Sequence, residues 1–135
     1  MLHLKNVKTI VVHCSDTPDN EFIGAREIHK MHLSFGWDGI GYHKVILRDG
    51  VIENGRPEFW IGAHVKGKNS SSLGVCLIGR ENFTNDQFFS LEKIINIWKE
   101  KYFNVEIMGH RDVVKTSKTC PNFDVKKWCL NRGIV

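Results

Sequence analysis

The chain has 135 residues, 41% of them hydrophobic and 25% charged, with a formal net charge of +4. That length and composition describe one folded domain, residues 1–135, and exclude a disordered chain or one that needs a disulfide scaffold. No apolar run approaches the roughly 20 residues that span a bilayer, and the start, Met1-Leu2-His3-Leu4-Lys5-Asn6, has no signal-peptide pattern, so a soluble protein made in a cytoplasm is expected.

Lys8 to His13, with TIVVH at its heart, is a β-branched run bounded by Ser15-Asp16-Thr17-Pro18 and predicts a buried strand. Residues from about 22 to 34 carry Phe22, Ile28, Met31 and Phe35 at roughly helical spacing, with Gly36 as a stop. Tyr42 to Leu47 and Gly50 to Glu53 predict a hairpin around Arg48-Asp49-Gly50, where Asp-Gly is a strong turn signal. Leu73 to Ile78 is a second buried strand. Thr84-Asn85-Asp86-Gln87 matches a capping box. Behind it Phe88, Leu91, Ile94, Ile95, Trp98 and Tyr102 form an apolar stripe, which predicts a helix over 85–102. Val105 to Gly109 is a short strand, and a last helix starts near Asp124 and includes Trp128. Strands mixed with helices predict an α/β domain, a mixed central sheet flanked by helices on its faces. In such sheets, sites form at strand ends and in the loops leaving them.

Charge and cysteines bear on function. Residues 108–135 hold six Lys/Arg and two acids, so the whole excess lies there. A solvated basic tail and a negatively charged partner both fit that pattern. Cys14, Cys76, Cys120 and Cys129 have irregular spacings without a C-x-x-C pair. In a cytosolic chain that favours free thiols or metal ligation over disulfides.

Of the seven histidines, His3, His29 and His32 read as surface or core residues. His29 and His32 could share a helix face, but no third ligand lies near them in sequence. His13 and His110 differ, because each directly follows an apolar strand and precedes polar loop residues. Cys120 comes ten residues after His110 and precedes Pro121. Two imidazoles and a thiolate make a sensible Zn²⁺ set with a fourth position left open. Zinc lowers the pKa of its water to about 7 and polarises a carbonyl, which suits amide hydrolysis. Lys118 would then lie close to the metal and suit an oxyanion. Tyr42, opening its strand, could donate a hydrogen bond or manage protons. An exposed loop lysine and a half-buried strand tyrosine are the plain alternatives. Cys14 and Cys76 fall on buried strand positions and read as core thiols. Alternation along the strand points Cys14 away from what His13 binds.

His13-Cys14-Ser15-Asp16-Thr17, Gly41-Tyr42-His43, Arg48-Asp49-Gly50, Gly62-Ala63-His64, Leu73 to Gly79, Gly109-His110-Arg111-Asp112 and Cys120-Pro121 occur in one order. Together they resemble the zinc-dependent N-acetylmuramoyl-L-alanine amidases, a superfamily that includes the peptidoglycan recognition proteins. The stretches VVHCSDT, REIHKMH, GWDGIGYHKVILRDG, GAHVKGKN, SLGVCLIG and CPNFDVKKW are similar to the small phage lysozymes of the amidase type. The resemblance implies a phage or prophage endolysin, a bacteriolytic hydrolase cutting peptidoglycan between N-acetylmuramic acid and the L-alanine of the stem peptide. It implies Zn²⁺ on His13, His110 and Cys120, catalytic assistance from Tyr42 and Lys118, and a substrate contact at His64. It also implies a host-cytoplasmic protein that reaches the wall after holin-dependent release.

The alternative on the same fold is a non-catalytic peptidoglycan binder, marked in that superfamily by loss of the cysteine ligand. Here Cys120 is present. Phage lysozymes of this type can also inhibit the phage RNA polymerase, which makes that enzyme a second expected partner. A monomer without membrane contact is expected. Nucleic-acid binding is not, because no aromatic-basic stacking pattern accompanies the charge.

Overall fold

The computed structural model describes residues 3, 4, 6–113 and 119–134. Its strands are β1 (Thr9–Cys14), β2 (Lys44–Ile46), β3 (Ile52–Asn54), β4 (Ser72–Leu77) and β5 (Glu106–Gly109). Its helices are α1 (Ala25–Ser34), α2 (Asn85–Lys101), α3 (His110–Val113) and α4 (Val125–Asn131), with one 3₁₀ turn at Asn69–Ser71. The strands form one mixed sheet in the order β3-β2-β4-β1-β5. β1 runs parallel to both β4 and β5, β2 runs parallel to β4, and β3 is antiparallel to β2. This is the expected α/β architecture. Among the described residues no helix is long and apolar enough to cross a membrane.

Alternation divides the sheet into two unlike faces. Ile10 and Val12 of β1, Leu73, Val75 and Leu77 of β4 and Ile46 of β2 pack with Leu91, Ile94, Ile95 and Trp98 of α2, and with Val125 and Cys129 of α4. The opposite face has a much smaller apolar cluster, Ile28, Ile40, Val45 and Ile78. The face covered by α1 is therefore only partly filled, and its remainder is a groove.

Local chemistry explains most boundaries. The Thr84 side chain accepts from the Gln87 amide at 3.0 Å while Gln87 Oε1 accepts from the Thr84 amide at 3.0 Å, completing the capping box of α2. Asp124 caps α4 through the Lys127 amide. The hairpin turn closes with Gly50 at φ +89° and its amide on the Leu47 carbonyl.

The first helix differs from expectation. It starts at Ala25, not near residue 22, because carboxylates cap that end: Glu27 accepts from the Gly24 amide and Glu53 from the Ala25 amide. Phe22, Met31 and Phe35 are exposed, leaving Ile28 and His32 as its buried residues. The helix does not lay an apolar stripe on a core there, because that flank is a wall of the groove.

Candidate active site and metal centre

β1 carries His13 to the level of Cys76 in β4, where its ring is almost wholly buried. β5 ends at Gly109, and His110 opens α3. That short helix was not foreseen; it holds the His110 ring 4.8 Å from the His13 ring, centroid to centroid. The loop bearing Cys120 is tied back by the Arg111 amide, which donates to the Cys120 carbonyl at 3.0 Å. The Cys14 amide donates to Cys120 Sγ at 3.2 Å. Donor atoms of His13, His110 and Cys120 consequently all lie within 4.8 Å of one another. Two imidazoles and a thiolate drawn together in this way are a donor set that would hold Zn²⁺.

The electrostatics suit a cation in that position. Burial pushes the His13 imidazole well below its ordinary pKa, and the neighbouring His64, His110 and His32 push it further down. A neutral imidazole is the form that ligates a metal. The Cys14 thiol hydrogen-bonds Cys120 and draws its pKa down, and the Cys14 amide adds to the effect. That favours thiolate, the ligating form. Cys14 is not among the three clustered donors, but alternation does not turn it away as expected: at the end of β1 its thiol and main chain both touch Cys120, and it lines the same groove. All four cysteines are free; Cys76 and Cys129 are buried, and burial raises the Cys129 thiol to about 11.

Tyr42 stands beside the donors, its ring 5.0 Å from that of His13. Burial holds its phenol well above the ordinary pKa, so it stays protonated and can donate. The donors and Tyr42 open onto a groove of about 930 Å³. Ile28, Met31 and His32 of α1 with Phe35 and Trp37 form one wall, while Lys66 and Asn69 line it elsewhere.

His64 also lines this groove, but it is 9% exposed, and its Nδ1 lies 2.9 Å from His13 Nε2. Lys118 falls in 114–118, outside the described residues. Two histidines had drawn no functional reading. His32 Nδ1 accepts from the Gly41 amide at 2.9 Å, and its ring sits 5.4 Å from that of Tyr42. His43 Nδ1 accepts from the Gly74 amide at 3.1 Å. His43 lies just before β2, with its ring 5.8 Å from that of His64, so strand alternation from Tyr42 gave no guide to it. His32 had no marker either, because its partner lies nine residues on.

These features define a class: a small α/β domain with an open, histidine-lined groove and a three-donor site at its floor. Sequence relationship narrows it. The chain belongs to the N-acetylmuramoyl-L-alanine amidase family, whose profile matches residues 3–123. It is 42% identical to the endolysin of Klebsiella phage KP32 over 134 residues, covering 93% of this chain and 87% of that one. It is 39% identical to the endolysin of Escherichia phage T7, covering 97% and 91%. The solved N-acetylmuramoyl-L-alanine amidase LysC from Clostridium intestinale superposes with a TM-score of 0.85 at 30% identity, over 96% of this chain and 87% of that one.

Proposed function

We propose that the protein is an endolysin-type, zinc-dependent amidase that hydrolyses the bond between N-acetylmuramic acid and L-alanine in peptidoglycan. The observation that carries this reading is the convergence of His13, His110 and Cys120 within 4.8 Å, at the floor of the groove. Two nitrogens and one thiolate match the donor chemistry of zinc, and three protein ligands leave an open position. When bound, zinc polarises the amide carbonyl and brings the pKa of water near 7.

The chain's own residues do the rest. His13 and His110 present neutral imidazoles, and Cys120 presents a thiolate held by the Cys14 thiol and amide. Tyr42 Oη, kept protonated by burial, donates to the oxygen that gains negative charge or orients the attacking water. Lys118, two positions before Cys120 in sequence, supplies a cation that steadies the oxyanion. Lys66 on the groove suits the carboxylates of the stem peptide. The wall is reached from the host cytoplasm after holin-dependent release.

Incubation with purified cell wall tests the assignment. Amino groups of L-alanine should appear without reducing sugars. Release of reducing sugars would contradict it, and zinc binding without any turnover would favour the non-catalytic binder.

A further inference from the structure

We infer that His64 and Ser72 form a relay that sets the ring tautomer of His13, and so decides which nitrogen His13 offers to a metal. The inference rests on the metal-binding reading above. It makes Ser72, fully buried at the start of β4, a positioning residue for that site.

The chain of donors can be followed from its far end. Ser72 Oγ lies 2.7 Å from the Lys68 carbonyl oxygen. A carbonyl only accepts, so the single hydroxyl proton of Ser72 is committed there. Ser72 Oγ can then only accept from His64 Nε2, 3.3 Å away. His64 therefore carries its proton on Nε2. Its ring lies beside that of His43, and in the neutral imidazole a proton on Nε2 leaves a lone pair on Nδ1. That nitrogen faces His13 Nε2 at 2.9 Å, so His13 Nε2 must donate. A neutral His13 is then bare at Nδ1, the nitrogen free to face His110 and Cys120.

The fold holds the relay rigid. Asn69 Oδ1 accepts from the amides of His64 and Val65, both at 2.9 Å, which pins the loop that presents His64. The ring lies against Gly74 of β4, where a Cβ would meet His64 Cγ and Nδ1 at 2.7 Å. The segments Gly62-Ala63-His64, Asn69 and Ser72-Leu73-Gly74 are thus one device, although it touches the metal position only through His13. Hydrogen-bond partners that orient a metal-bound histidine typically change metal affinity by about 10–100-fold when removed.

The test uses the full chain labelled with ¹⁵N-histidine, after zinc has been removed by chelation. Long-range ¹H–¹⁵N correlation spectra should show both His13 and His64 as Nε2–H tautomers. An Nδ1–H tautomer at either ring would overturn the relay, and this readout needs no variant. Ser72→Ala should mix the His64 tautomers and weaken zinc, measured by chelator competition, about 10-fold, with Ser72→Thr restoring both. Unchanged zinc affinity in a folded Ser72→Ala protein would also overturn it. A wild-type protein that binds no zinc yet shows both Nε2–H tautomers would count against the metal reading and leave the relay standing.

Discussion

The two faces of the central sheet come from alternate residues of the same strands, yet they serve opposite ends. Toward α2, Ile10, Val12, Leu73, Val75 and Leu77 meet Leu91, Ile95 and Trp98 in a sealed apolar layer. Toward α1, the neighbouring positions carry His13, Gly74 and Cys76, with His64 and Tyr42 laid over them. Val12 and His13 are consecutive, and a one-residue slip of β1 would exchange a core side chain for one of the three clustered side chains of the groove. The first face holds the fold together. The second gives up packing for a groove whose buried histidines are satisfied by one another and by backbone groups.

Substitutions on the two faces should separate stability from chemistry. The largest effect is expected from Cys120→Ser, which removes a donor from the open face. Wall hydrolysis should fall by about 10³-fold or more, while denaturant unfolding of the metal-free protein changes by less than about 1 kcal/mol. Leu91→Ala on the sealed face should do the reverse. Its cavity should cost about 2–5 kcal/mol, with zinc content per folded chain unchanged. Tyr42→Phe keeps the ring and loses the donor. It should lower kcat about 10²-fold with zinc retained, and loss of zinc would show that Tyr42 instead holds the donors in place.

Acid sharpens the contrast further. Burial lowers the pKa values of His13, His32 and His43, and that of His64 to about 3. The unfolded chain therefore takes up protons first, near pH 6.5. Stability of the metal-free protein is intact above that pH and is lost as pH falls from 6.5 toward the folded values. Each histidine that stays neutral contributes a loss of about 1.4 kcal/mol per pH unit. For His64 alone the loss is about 2 kcal/mol between pH 6.5 and 5, measurable by denaturant unfolding at each pH. Leu91→Ala should shift the whole curve without changing its slope.

What could be read from sequence follows the same division. The sealed face was legible because it is written in local patterns: the TIVV run, the apolar stripe of α2 behind Thr84, the Asp124 cap. His13 and His110 stood out as candidates because each sits where an apolar run gives way to a loop, and Cys120 only because it follows His110 by ten residues and precedes Pro121. The rest of the open face depends on long-range partners. The start of α1 is set by Glu53, arriving from β3. The exposure of Met31 and Phe35 follows from the groove wall, not from their helical spacing. His43 and His32 serve backbone amides of Gly74 and Gly41, and His64 serves His13 across 51 positions. Periodicity says nothing about such pairings. They appear only once β4 lies beside β1 and β2, and α1 lies beside the segment that leads into β2.

The most direct test of the central claim is the zinc content of the purified protein, with and without His13→Ala. The wild type should hold one zinc per chain, and the folded variant should lose the metal together with its activity on cell wall. A wild type that hydrolyses the wall with no metal, or a variant that keeps its zinc, would contradict the assignment of His13, His110 and Cys120 as the metal centre.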